Sequence, residues 1–235
     1  MPAIYKREVK AYLTSMTGYI FMGVLLAFVG LYFTAYALVS GYPLFGYILS
    51  SLNIAFLILT PILTMRSLAE ERRQKTDQIL LTSPVSLGNV ILGKYLAMLT
   101  IFTIPMLIIS FYPWIMSSFG DVSMPMAYTA VLGCWLFGAA CLAIGLFLSS
   151  LTENLVVAAV LTFAVMFFCN MASGISNMIS ATGVVKLFLD AADLYGRFTN
   201  FMQGILDLTG VAYYVTVIGL FLFLTVQSLQ KRRWS

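Results

Sequence analysis

The chain has 235 residues, 61% of them hydrophobic and only 9% charged, whereas a soluble domain carries about a quarter charged residues. Water is therefore not its main solvent, and six apolar spans of ~20 residues with their connections would use nearly all of the length, leaving no room for a catalytic domain. A net charge of +4 without a single histidine removes His-based metal sites and His acid–base chemistry, and the basic residues flank apolar runs instead of forming the stripe that nucleic-acid binding requires.

Residues 2 to 15 come first. Tyr5, Val9, Tyr12 and Leu13 share one helical face and Lys6, Arg7, Lys10 and Thr14 the other, which reads either as a helix lying in the membrane interface or as an ordinary positive flank. From Ala11 to Met65 there is no Asp, Glu, Lys or Arg, a stretch too long for one span, so the Gly41-Tyr42-Pro43 turn divides it into spans at 17–40 and 46–66. The apolar run lacks a small-x-small cleavage site, which argues against a cleaved signal peptide. Gly23, Ala27, Gly30 and Thr34 fall on one face of the first span, a surface that permits close helix packing within the chain or against a second protomer.

A charged segment of 67–94 follows. Glu70 with Gln74, Glu71 with Lys75, and Arg73 with Asp77 stand at i, i+4, so a helix extends into water. Ile79, Leu80 and Leu81 then form an apolar cluster, and Ser83-Pro84 has the residue order of an N-cap and first helical position. The cluster either meets a protein partner or folds back onto the bilayer. Gly88 to Lys94 reads G-N-V-I-L-G-K, a literal match to most of a phosphate-binding P-loop, but Tyr95 stands where Ser or Thr should hold magnesium, and no strand precedes it. Gly88 and Gly93 read instead as close-packing positions.

The remaining spans are placed at 95–118, 126–149, 154–175 and 208–230, with Pro61, Pro105 and Pro113 producing kinks. Between the last two, 176–207 is too apolar for a solvated loop and predicts two short helices divided near Gly196, with Lys186–Asp190 and Asp193–Arg197 as i, i+4 pairs. Cys134, Cys141 and Cys169 sit within apolar runs as small buried groups. Asn53 and Asn170 lie deep in spans, as interhelical hydrogen-bonding groups or as pathway lining, and no carboxylate sits mid-span as an ion-coupled pump would require. Eleven of the thirteen Lys and Arg residues fall before span one, between spans two and three, or after span six, so the positive-inside rule puts those segments and both termini in the cytoplasm.

The expected fold is an all-α integral membrane protein with six transmembrane helices. From Ser67 to Ala97, "SLAEERRQKTDQILLTSPVSLGNVILGKYLA" resembles the region between spans two and three of ABC-2 type permeases, and "SLQKRRWS" from Ser228, with the overall length, is similar to their gliding-motility-associated branch. The resemblance implies one transmembrane domain over residues 1–235 that dimerises in the cytoplasmic (inner) membrane of a prokaryote and docks a separate cytoplasmic ABC ATPase subunit. It assigns docking to Glu70, Glu71, Arg72, Arg73, Lys75, Thr76, Leu80, Leu81, Ser83 and Pro84, with a lesser contact at Glu153. Residues 1–15 match the family's interfacial connecting helix, 67–94 its coupling segment and 176–207 its outer hairpin, and an accessory membrane protein at the outer surface is a further expected partner. No cofactor and no catalysis by this chain are implied. A structural membrane subunit of an envelope or motility complex, without a translocation path, is the alternative.

Overall fold

In a computed structural model the described residues are 2–39, 45–73, 86–118, 121–178 and 183–233. The Gly41-Tyr42-Pro43 turn, Gln74 through Asp77, and the Ile79–Pro84 stretch lie outside them. Helix α1 spans Pro2–Thr14, and α2 Met16–Phe33 continues into a π-helical turn, Thr34–Val39. Then come α3 Phe45–Thr64, α4 Ala69–Arg73, α5 Leu87–Ile109, α6 Tyr112–Ser117 and α7 Met124–Leu151. The series closes with α8 Leu155–Met178, α9 Gly183–Ala192, α10 Leu194–Met202 and α11 Leu208–Arg233. Among the described residues six helices are long and apolar enough to cross a membrane.

Helix α7 is the axis of the bundle and packs against α3, α5, α8, α10 and α11. Its small residues make this possible, because a Cβ added at Gly133, Gly138 or Gly145 would collide with Phe201, Phe102 and Thr64 respectively. Around that axis run aromatic contacts: Phe102 meets Phe21 and Phe56, Phe56 meets Phe137, and Phe137 meets Phe198 and Tyr214. Edge-to-face and offset ring pairs of this kind add to the dispersion energy that must hold helices together where lipid is as apolar as the core. By contrast, α2, α8 and α11 leave most of their apolar surface outside the bundle, as a helix bathed in lipid does.

The sequence is corrected at several points. Span two does not run straight on into a charged helix: residues 65–68 form a turn between α3 and α4. Pro61 and Pro105 sit inside helices, but Pro113 lies in the first turn of the separate helix α6 after a break at Ser110 and Phe111. That is the location where its missing N–H costs nothing. The third apolar helix starts at Leu87, upstream of the 95–118 span, so residues 88–94 are helical and no phosphate-cradling loop exists there. The two short helices before α11 divide at Asp193 and not near Gly196, because the Asp193 carboxylate accepts a 2.9 Å hydrogen bond from the Gly196 N–H and caps α10. With its carboxylate so used, Asp193 makes no ion pair with Arg197, whose guanidinium instead lies 5.6 Å from the Tyr213 ring centroid. No ion pair forms between Lys186 and Asp190 either.

The face of Gly23, Ala27, Gly30 and Thr34 is not used inside the chain: Gly23, Ala27 and Thr34 are exposed, and added Cβ atoms at Gly23 and Gly30 would meet nothing. Gly88 likewise has open space, whereas a Cβ on Gly93 would lie 3.2 Å from Ile4. Only the second glycine permits close packing, where α1 crosses α5.

Candidate functional site

One end of the bundle gathers α1, the 65–68 turn with α4, the start of α5 and the turn between α7 and α8. Helix α1 is laid against α5 by its apolar stripe. Tyr12 is buried, and the Tyr5 hydroxyl lies 2.9 Å from the Thr100 hydroxyl. A sharp corner at Ser15 leads into α2, and Gly18 makes room for it, since a Cβ there would strike the Tyr12 carbonyl oxygen.

That packing turns Glu8 inward, with its side chain 12% exposed, opposite Lys94 of α5, which is 1% exposed. The Lys94 ammonium donates to Glu71 at 2.7 Å, to the Ser67 carbonyl at 3.2 Å and to Glu8 at 3.3 Å. Three donors thus meet three acceptors, which is what a buried ammonium requires. Arg7 closes the cluster, 2.7 Å from Glu8 and 3.6 Å from Glu71, and its hydrogen bond to Glu8 raises the guanidinium above its ordinary pKa. Burial, reinforced by the nearby Glu8 charge, pushes the Tyr12 phenol well above its ordinary range.

The 65–68 turn breaks the regular helical ladder, and α7 repairs it. The Ser149 hydroxyl oxygen accepts from the N–H groups of Leu68 at 3.3 Å and Ala69 at 3.1 Å, and donates to the Met65 carbonyl at 3.4 Å. Two further ion pairs hold α4. Arg66 Nε donates to Glu70 at 2.8 Å and Arg66 Nη1 to the Thr17 hydroxyl at 3.1 Å. Arg72, only 6% exposed, donates to the Ser150 carbonyl at 2.6 Å and approaches Glu153 to 3.5 Å.

Of the residues singled out in the sequence, Glu70, Glu71, Arg72 and Glu153 therefore engage other parts of the same chain, while Arg73 is exposed. Lys75, Thr76, Leu80, Leu81, Ser83 and Pro84 lie outside the described residues. Among the described residues Asn53 and Asn170 reach no other helix: the Asn170 amide donates to Met166 one turn back, at 2.8 Å, and each side-chain oxygen is buried without a hydrogen-bond partner. Sequence reasoning missed Glu8 and Ser149 and saw Lys94 only as a flanking charge and as the last residue of the rejected P-loop match. Glu8 carried a legible signal, an acid at i−4 from Tyr12 on the apolar face of a basic helix; Ser149 carried none.

A family model described as "ABC-2 family transporter protein" matches residues 39–229, a stretch that begins just after the first apolar helix and takes in the other five. The chain belongs to the ABC-2 transporter family. No curated protein matches it. Membership makes this chain a multi-pass membrane subunit of an ABC transporter, of a kind that is generally not itself catalytic, and implies an ABC ATPase as partner.

Proposed function

We propose that this ABC-2 permease couples ATP hydrolysis by a separate cytoplasmic ATPase subunit to export, or to conformational work, across the inner membrane of a prokaryote. The observation that carries this reading is the brace on α4, the stub of the charged segment after span two. That stub is tied to α1 through Glu71, Lys94 and Glu8, and to the α7–α8 turn through Arg72, Ser150 and Glu153. A partner pulling on residues 74–85 would thus load α1 and the apolar helices α5 and α7 at once. Glu70 and Arg73 stand nearest that partner, and Lys75, Thr76, Leu80, Leu81, Ser83 and Pro84 form its footing.

The braced end carries the basic flanks, so the positive-inside rule places it, with both termini, in the cytoplasm. The uncovered small-residue face of α2 supports a second permease protomer there, while α9 and α10 form an outer hairpin open to an accessory membrane protein. The "SLQKRRWS" tail favours the gliding-motility-associated branch. Asn53 and Asn170, each with an unpartnered buried oxygen, are the residues available to line a path.

Replacing Leu80 and Leu81 by Asp should abolish co-purification of the ATPase while the permease still inserts in the membrane. Undiminished co-purification would reject the docking role.

A further inference from the structure

Away from the charged end, α5 and α7 part to leave a groove of about 290 Å³. Thr103, Leu107 and Ser110 form one wall, and Tyr128, Val131, Leu132 and Trp135 the other. From Tyr128 to Trp135 the groove follows about 10 Å of helix, at 1.5 Å per residue.

The polar atoms of this lining are nearly all spoken for. Trp135 Nε1 donates to the Thr103 hydroxyl at 2.9 Å, Thr103 donates to the Leu99 carbonyl at 2.7 Å, and Ser110 donates to the Leu107 carbonyl at 2.6 Å. A cavity lined in this way does not hold water, and an empty one would forfeit the dispersion contacts of its walls. Its mouth is continuous with the outer apolar surface of the spans, since Leu107 is 60% and Leu132 43% exposed. One polar group remains. The Tyr128 hydroxyl, on a half-exposed side chain near the start of α7, has no hydrogen-bond partner among the described residues. An apolar slot with a single unsatisfied hydroxyl at its lip matches an amphiphile with an apolar tail and an oxygen-bearing head.

We infer that the groove between α5 and α7 seats one acyl chain of a bilayer phospholipid, with the Tyr128 hydroxyl donating to an ester or headgroup oxygen. The seat depends only on the protein's being embedded in a bilayer and is independent of ATPase docking.

The test is reconstitution of the full chain in nanodiscs of phosphatidylcholine containing a fraction of lipid with a diazirine in one acyl chain, followed by irradiation and mapping of adducts by mass spectrometry. Adducts are expected in excess at Leu107 and Leu132 over apolar positions elsewhere that are as exposed or more so, such as Val156, Val160 and Phe223. Val131→Phe, which fills the slot, should remove that excess. Tyr128→Phe, which keeps the wall and deletes only the hydroxyl, should reduce it about threefold, the worth of one hydrogen bond. Labelling spread evenly over all exposed spans would overturn the proposal in favour of unspecific annular lipid. Protection of the groove together with protein–protein cross-links through Leu107 or Leu132 would overturn it in favour of a second copy of the chain.

Discussion

The ammonium of Lys94 lies 2.7 Å from the carboxylate of Glu71, although the two residues stand 23 positions apart in sequence. Lys94 is almost wholly buried, so removing it takes the buried counter-charge from Glu71 and Glu8, while the exposed Arg7 stays beside them. Lys94→Met is expected to destabilise the protein by about 3 kcal/mol, the lower end for a broken buried ion pair, because both acids retain some contact with solvent. Replacing Glu8 and Glu71 by Gln in the same chain should recover most of the loss. Thermal unfolding in mild detergent, followed by tryptophan fluorescence, compares the single and triple variants; a triple variant no more stable than Lys94→Met would contradict the pairing.

Ser149 makes a different kind of contact, holding the 65–68 break with a hydroxyl that reaches across from α7. Ser149→Ala should cost about 1 to 3 kcal/mol, since two backbone N–H groups lose their acceptor in a buried place. The more specific readout is hydrogen exchange. The amides of Leu68 and Ala69 should exchange faster in the variant, with little change in the middle of α3.

Close packing along α7 gives a third expectation. A methyl group at Gly138 would be driven into the Phe102 ring, which is itself 1% exposed and held between Phe21 and Phe56. Gly138→Ala should therefore destabilise the bundle by about 1 to 3 kcal/mol through overpacking, whereas Gly23→Ala, which meets nothing in the chain, should leave monomer stability nearly unchanged. Size-exclusion profiles after graded heating distinguish the two.

Asp207, just before α11, offers a pH-dependent test. Desolvation pushes its carboxyl up, but hydrogen bonds from the Asn200 amide and from the backbone and hydroxyl of Thr209, with the Gly210 N–H, outweigh it and hold the group below the ordinary carboxylate range. A depressed folded-state pKa contributes stability that is fully present above the unfolded value of about 3.9 and disappears as pH falls through the folded one. The melting temperature of the unmodified protein should thus drop below about pH 4 more steeply than that of Asp207→Asn. Parallel curves would contradict these hydrogen bonds.

Composition alone decided that this chain lives in a bilayer and roughly where it crosses, because a span must be apolar over ~20 consecutive residues wherever its neighbours lie. The same locality made the amphipathic stripe of α1, the helical nature of residues 183–202 and the unfitness of residues 88–94 as a P-loop legible before any coordinates. What the linear order could not supply was the destination of each charge. The i, i+4 rule paired Asp193 with Arg197, yet the carboxylate caps its own helix and the guanidinium turns to Tyr213. It paired Glu71 with Lys75 on a helix extending into water, yet Glu71 is drawn to Lys94, and its neighbour Arg72 turns to Ser150. Those choices depend on how each helix is rotated about its axis and on which element crosses it, and the partners of Lys94 and Arg72 stand as much as 86 residues away. Only the assembled bundle brings Glu8, Glu71 and Lys94 within hydrogen-bond distance of one another, where Lys94 and Arg7 together balance the two acids.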